Sequence, residues 1–320
     1  MSYALRENPG VWRRERKYMS LLANIRARPA LYFMILPCVV YLIAFYYIPM
    51  AGTVIAWKNY NIFAGIINSP WVGWQNFERL FAYADFYKIF RNTVLFGVYM
   101  IGFGFLPPII LALMLNEIRS KWYRRTIQTI SYMPYFLSWV VVSQIFTTIL
   151  SPSTGVVNIL LHKSLGLQPI YFMIKEQFFR PIVTGASIWK NVGYGSIIYL
   201  AALTSIDPLF YESAAIDGAS RWQQLRYITL PCLQPVILTM FILTIGGLHT
   251  STGFDQIYTM MNPLVYSVAD TFDTYTFRIG LIGGQYSLTT AIGLFSSVIN
   301  LVLLSMAHIL AKKATGRGLF

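Results

Sequence analysis

Six long apolar runs, each separated from the next by a polar segment, dominate this sequence. A run of about 20 apolar residues can cross the hydrocarbon core of a bilayer as an α-helix. Because each backbone N–H and C=O in that core must be paired, such runs fold as membrane-spanning helices. With 56% hydrophobic and 12% charged residues among 320, we predict an all-α polytopic membrane protein with six transmembrane helices. The predicted spans are residues 29–57, 89–115, 126–150, 181–206, 232–253 and 288–311.

The basic residues are distributed unequally between the two sides of these spans. Of the 25 Lys and Arg residues, 16 lie in the two terminal segments and in the second and fourth connections. Lys and Arg are enriched on the cytoplasmic side of membrane proteins, so both termini are predicted to be cytoplasmic. The same bracketing of apolar runs explains the net charge of +13 without a nucleic-acid partner. We predict a basic cytoplasmic segment, residues 1–28, followed by one transmembrane domain, residues 29–320.

The sequence lacks the motifs of the common catalytic and cofactor sites. It has no Gly-rich phosphate loop followed by Lys and Ser or Thr, and no His-Glu-x-x-His motif. Cys38 and Cys232 lie in or beside apolar runs, and the three histidines have no metal-ligand spacing. We therefore expect a chain that is not an enzyme and that itself binds no metal and no cofactor.

The fourth connection, residues 207–231, is polar and has internal order. Asp207-Pro208 is a helix-start signal, and Glu212, Ala215 and Ala219 would share one helical face. Gly218 interrupts that helix. The pattern predicts a short helix, a bend and a second short helix along the membrane surface. A solvated connector is the alternative interpretation.

The spacing within this connection closely resembles the "EAA" motif of ABC importer permeases. Glu-Ser-Ala is followed at the family offsets by Gly218 and then by Ile-x-Leu-Pro, with Ser213 where the family usually has alanine. In that family the loop is the coupling helix that docks into a cleft of the ATPase subunit. By this resemblance the predicted ATPase-coupling residues are Glu212, Ser213, Ala214, Asp217, Gly218 and Arg221.

Nearly the whole chain resembles the polysaccharide-type branch of these permeases. The resemblance rests on Phe45–Phe63, on Ser69–Phe81, on the string WKNVGYGSIIYLAAL and on Gly316–Phe320. It implies the type I ABC importer permease fold in a bacterial cytoplasmic (inner) membrane. The partners it implies are two ATP-binding cassette subunits that use ATP and Mg²⁺, a second homologous permease and an extracytoplasmic solute-binding protein. The implied cargo is an oligosaccharide, with an acidic, alginate-like one as a candidate, moved by alternating access.

The fourth apolar run carries polar side chains at membrane depth. A charged group there is costly unless it faces water or a partner, so such residues often mark a transport path. Aromatic rings could also stack on the apolar faces of sugar rings. The alternative is that the lysine snorkels to an interface and the polar groups only hold helices together. The predicted path residues are Trp189, Lys190, Asn191, Tyr194 and, in the fifth run, His249.

A stand-alone secondary carrier or channel for a polar solute is the second functional hypothesis. Ion-coupled carriers usually have acidic residues within their spans or matched inverted halves. The predicted spans show neither feature, since Glu117 lies at a span end and Asp207 lies in a connection. Copurification distinguishes the two hypotheses, because only an ABC permease brings an ATPase with it.

Overall fold

The computed structural model describes residues 29–246 and 253–315. The basic segment 1–28, the path candidate His249 and Gly316–Phe320 lie outside the described residues. The chain divides between Ile55 and Ala56 into two compact units. The fold is helical, as predicted, and the described residues contain one isolated β-bridge, between Lys58 and Trp71, and no strand.

Eleven helices are named here in chain order. They are α1 Pro29–Trp57, α2 Gln75–Ala82, α3 Phe86–Glu117, α4 Lys121–Tyr132, α5 Trp139–Ile149, α6 Val156–Leu165, α7 Glu176–Thr204, α8 Pro208–Ile216, α9 Arg221–Gly246, α10 Phe254–Met260 and α11 Tyr286–Thr315. Shorter helical segments are Gly65–Asn68, Met133–Phe136, Pro263–Val265, Tyr266–Ala269, Phe272–Tyr275 and the π-helical Thr276–Ile282.

Four of these helices are long and apolar enough to cross a membrane, namely α1, α3, α9 and α11. The fifth candidate is α7, which passes the same test together with α8, although the two are bent by 67°. Polar side chains dilute the apolar character of α7, as the sequence indicates. By length and composition the described residues thus contain four or five candidate spans, and the count of six remains a prediction.

The predicted span 126–150 is broken in the middle. α4 ends at Tyr132, a 3₁₀ turn covers Met133–Phe136, and α5 begins after Ser138, whose Oγ accepts the Val141 N–H. Pro134 cannot donate a backbone N–H, which favours a helix interruption. The predicted span is therefore two shorter helices with a complete break at Pro134.

Pro107 and Pro108 have a milder effect in α3. This helix continues from Phe86 to Glu117, with a π-helical turn at Met100–Gly104 just before the prolines. A π turn shifts the hydrogen-bond pattern by one residue, which accommodates carbonyls that a proline leaves without an N–H donor. The prolines thus alter the helix locally without ending it.

α7 lies at the centre of the second unit and contacts α3, α4, α5, α9 and α10. Its Phe179 and Val183 join one buried cluster with Phe96 of α3, and its Leu200 joins another with Leu233 of α9. The packing against α4 is close at Gly193, where an added Cβ would lie 2.0 Å from the carbonyl oxygen of Ser131. Small residues permit such close approach between helices in membranes.

Candidate functional site

Helix α8 is fixed at both ends by local hydrogen bonds. At its start the Asp207 side chain accepts the Leu209 N–H at 2.9 Å. At its end the Gly218 N–H donates to Ala215 O at 3.1 Å and the Ala219 N–H to Ala214 O at 2.8 Å. This pair of bonds is the Schellman arrangement, which needs a left-handed residue, and Gly218 has φ +79°. The structure thus contains the predicted short helix and bend.

The predicted second short helix is wrong, because Arg221 begins the long helix α9. Ser220 and Gln223 form a capping box at its start. Pro231 does not end the helix, since a π turn at Leu225–Thr229 precedes it and the Leu230 N–H donates to Leu225 O. The proposed helical face is also shorter than predicted, because α8 ends at Ile216 and Ala219 lies outside it.

α8 presents an apolar surface that the described residues do not cover. Leu209 and Phe210 are exposed, and the side chain of Ile216 is 87% exposed. Of the predicted coupling residues, Glu212, Ser213, Asp217, Gly218 and Arg221 are exposed and Ala214 is half-buried. Exposed apolar side chains grouped on a short helix are typical of a protein-docking surface.

Two contacts tie this surface element to the spanning helices. Tyr211 Oη lies 3.0 Å from Thr229 Oγ1 of α9. Arg221 Nη1 donates to Glu117 Oε2, at the end of α3, over 2.8 Å. Both members of this ion pair are exposed, so its contribution to stability is small. Tyr211 thus joins α8 to α9, and the Arg221–Glu117 pair joins the start of α9 to the end of α3. A force on α8 would therefore reach α9 directly and α3 through α9.

Lys190 of α7 is bound inside the protein at the break between α4 and α5. Its ammonium donates to Tyr135 O at 2.6 Å and to Leu137 O at 2.7 Å, and the residue is 7% exposed. It also lies 5.1 Å from the ring centroid of Tyr135 and 5.6 Å from that of Trp139. The lysine therefore supplies donors to two carbonyls in the interrupted segment around Pro134.

The other three described path candidates, all on α7, each have a different set of contacts. Tyr194 is exposed and stacks on Tyr135, with ring centroids 3.9 Å apart. Trp189 is also exposed and makes an edge contact with Phe146. Asn191 donates back to Ser187 O of its own helix at 2.9 Å. The structure thus brings Lys190 and Tyr194 together around Tyr135, a residue that the sequence analysis did not identify.

A second polar network, which the sequence analysis did not predict, lies near the starts of α3 and α7, at the ends remote from α8. Arg180 Nη2 donates to Asn92 Oδ1 at 2.7 Å, and Asn92 Nδ2 donates to Asp270 O at 3.0 Å. Asp270 forms an ion pair with Arg278 and accepts a hydrogen bond from Thr274 Oγ1 at 2.7 Å. Burial raises the pKa of the Asp270 carboxyl, although Thr274 and Arg278 oppose that shift. The network joins the segment after α10 to the ends of α3 and α7.

The part of the chain that the structure describes offers no candidate metal site. Within the described ranges, no three His, Cys, Asp or Glu residues lie together in a suitable cluster. Both cysteines, Cys38 and Cys232, are free and exposed. The candidate site consists of α8, with its exposed apolar side chains, and the polar residues around Lys190.

Comparisons with known proteins agree with this architecture. A family model described as "Binding-protein-dependent transport system inner membrane component" matches residues 104–316. The chain is 41% identical to Protein LplB of Bacillus subtilis (strain 168) over 304 residues, which cover 95% of each protein. It is 39% identical to the polygalacturonan/rhamnogalacturonan transport system permease protein YteP of the same organism, over 96% of this chain and 95% of YteP.

A solved structure extends the similarity to three dimensions. The structure is that of a bacterial alginate ABC transporter in complex with an alginate pentasaccharide-bound periplasmic protein. One of its chains matches this chain with a TM-score of 0.85 and 40% identity. The match covers 93% of this chain and 99% of that chain, so it includes nearly the whole fold.

Proposed function

The chain belongs to the family of binding-protein-dependent transport system inner membrane components, and on this premise we propose that it couples ATP hydrolysis to oligosaccharide import. It is then the permease subunit through which the oligosaccharide crosses the inner membrane. The observation that carries this proposal is the capped, exposed helix α8, which contacts α9 and through Arg221 of α9 is linked to the end of α3. Family membership gives no support to the alternative of a stand-alone secondary carrier or channel.

α8 is the element that engages the ATPase in this proposal. Its exposed Phe210 and Ile216 provide apolar contact area, while Gly218 sets the angle between α8 and α9. When the ATPase subunits close, α8 moves and carries the ends of the spans with it, which alternates access between the two sides. The coupling residues in this proposal are Glu212, Ser213, Ala214, Asp217, Gly218 and Arg221.

The proposed assembly contains four kinds of partner. Two ATPase subunits bind ATP and Mg²⁺, a second homologous permease completes the path, a solute-binding protein delivers the cargo, and lipid surrounds the spans. In support, the similar alginate transporter was solved with a periplasmic protein that carries an alginate pentasaccharide. This chain supplies the path and the coupling helix, and it binds no cofactor of its own.

The proposed cargo is an acidic oligosaccharide. Two similar proteins are named for polygalacturonan and for alginate. In this chain, the end of α3 remote from α8 carries the exposed Arg91, one residue before the network that contains Asn92 and Arg180. Basic groups at a mouth attract anionic substrates over a Debye length of about 8 Å at physiological salt.

The assembled complex tests the proposal directly. We expect this chain to copurify with an ATP-hydrolysing subunit whose rate rises when a loaded solute-binding protein is added. Acidic oligosaccharides should stimulate the rate more than neutral ones of the same length. Transport by the purified chain alone, driven by an ion gradient, would contradict the proposal.

The path residues proposed are Trp189, Lys190, Asn191, Tyr194 and His249. Among the described ones, Trp189 offers an exposed ring on a spanning helix. Replacing it with alanine should raise the oligosaccharide concentration needed for half-maximal uptake by about tenfold, because a stacking face of about 1–1.5 kcal/mol is lost. Uptake of radiolabelled oligosaccharide into proteoliposomes measures this. Ile197→Ala, at a similarly exposed position of α7, is the control, and equal uptake kinetics in the two variants would remove Trp189 from the path.

A further inference from the structure

Residues 59–74, between Lys58 and the start of α2, form a loop that is called here the Phe63 loop. The loop contains no charged residue. Its large apolar side chains are nevertheless turned outward: Phe63 is 96% and Ile67 88% exposed, and Ile62, Trp71 and Trp74 are more than half exposed. Phe63 lies in the turn just before the four-residue helix Gly65–Asn68, which contains Ile67. The loop therefore presents a cluster of uncharged apolar side chains to its surroundings.

The backbone of the Phe63 loop is closed by donors from the chain itself. Asn59 N–H donates to Pro70 O at 2.9 Å, which joins the two sides of the loop. Lys58 Nζ donates to Ile66 O at 2.7 Å and to Ile67 O at 2.9 Å, and Ser69 Oγ donates to Gly65 O at 2.6 Å. These carbonyls end a four-residue helix, where water usually supplies the missing partners. Internal pairing of this kind permits a loop to sit where water is scarce.

The loop lies at the level where spanning helices begin. Tyr60 N–H donates to Ser287 Oγ at 2.8 Å, and the Tyr60 ring packs edge-on against Tyr286, the first residue of α11. The chain continues from the loop through α2 to Phe86, where α3 starts. The other end of α3, at Glu117, is the one that contacts Arg221 beside α8. A helix of 32 residues is about 48 Å long, so the Phe63 loop is on the side of the membrane opposite to α8.

We propose that the Phe63 loop is a membrane-interface anchor whose tip, residues 62–67, inserts into the lipid leaflet opposite to α8. Three observations select lipid over a soluble protein. Trp and Tyr beside span ends are typical of the headgroup region. The loop's own residues carry no charge that would steer a soluble partner, and the Lys58 ammonium beside the tip is bound to the carbonyls of Ile66 and Ile67. With Gly65 O bound by Ser69 Oγ, these three tip carbonyls need no water. Such an anchor holds the connection between α1 and α3 against the bilayer while α8 moves on the other side.

Fluorescent labels can measure the environment of the tip in the intact transporter. Cys38 and Cys232 are first replaced with serine, and single cysteines are introduced as Phe63→Cys, Ile67→Cys or, as a control, Glu78→Cys on α2. Each variant, purified with its partner subunits, is labelled with an environment-sensitive fluorophore and reconstituted into phosphatidylcholine vesicles. Lipids with a nitroxide high on the acyl chain then act as quenchers within the leaflet, and iodide acts as a quencher in water.

We expect blue-shifted emission at Phe63→Cys and Ile67→Cys, with quenching by the nitroxide lipid. Iodide should quench these two positions about fivefold less than Glu78→Cys, because an ion does not enter the boundary between headgroups and acyl chains. Equal iodide quenching at all three positions would overturn the proposal. Protection that appears only when the loaded solute-binding protein is added would also overturn it, by showing that the surface docks a protein.

Discussion

Replacing Gly218 with valine is expected to abolish the stimulation of ATP hydrolysis by the loaded solute-binding protein. Gly218 has φ +79°. For a β-branched residue such as valine, this left-handed conformation costs about 1–2 kcal/mol or more. Among the described residues, no atom lies within 4 Å of the position that a Cβ would take, so the effect comes from the backbone and not from a clash. The chain should relieve the strain by giving up the two bonds that end α8, which changes the angle of the docking surface.

Two control variants separate coupling from general strain. Gly166 ends α6 with φ +65° and equally free space for a Cβ. Gly166→Val therefore imposes a similar left-handed backbone strain at a position remote from α8 in the sequence. It should leave stimulation intact. Gly218→Asn should retain most of it, since asparagine tolerates the left-handed region. Assay in proteoliposomes provides the measurement, and full stimulation in Gly218→Val would count against a coupling role for the bend.

Replacing Lys190 with methionine is expected to produce the largest loss of stability. The side chain has a similar length but no donor, so the Tyr135 and Leu137 carbonyls at the break lose their partner. An unpaired buried polar group costs about 1–3 kcal/mol, so two of them cost about 2–6 kcal/mol. The melting temperature of the detergent-solubilised complex should fall by several degrees, and the amount of folded protein in the membrane should fall with it.

Lys163 provides the matched control for this substitution. It is exposed in the last turn of α6, so Lys163→Met should have little effect on the melting temperature. The result also distinguishes two roles for Lys190. Loss of stability shows that the lysine holds the break together, whereas normal stability with altered oligosaccharide kinetics would show that it acts mainly in the path.

The sequence predicts those features that depend on short segments. Apolar runs identify α1, α3, α9 and α11 because span length and composition are local properties. Asp207-Pro208 and Gly218 identify the bounds of α8, since both the helix start and the left-handed turn depend on adjacent residues. These signals were sufficient for the helical fold class and for the position of the candidate coupling helix.

Features that depend on distant contacts could not be predicted in the same way. From the sequence, Lys190 could be assigned only to the path or to a snorkelling position. The structure shows that it binds Tyr135 and Leu137 at the break near Pro134, which lies more than 50 residues earlier in the chain. The bond between Arg180 and Asn92 joins residues 88 positions apart. The second short helix was a wrong prediction because Leu230-Pro231 resembles a helix boundary, whereas the π turn before it lets α9 continue.

Crosslinking from α8 tests the central claim that this helix docks into an ATPase subunit. Cysteine at Ile216, whose native side chain is 87% exposed, would be introduced after Cys38 and Cys232 are replaced with serine. A short bifunctional reagent applied to the active, assembled transporter should link this position to the ATP-hydrolysing subunit, while Leu165→Cys, exposed at the end of α6, should not be linked. An active preparation in which Ile216→Cys never reaches that subunit would contradict the claim.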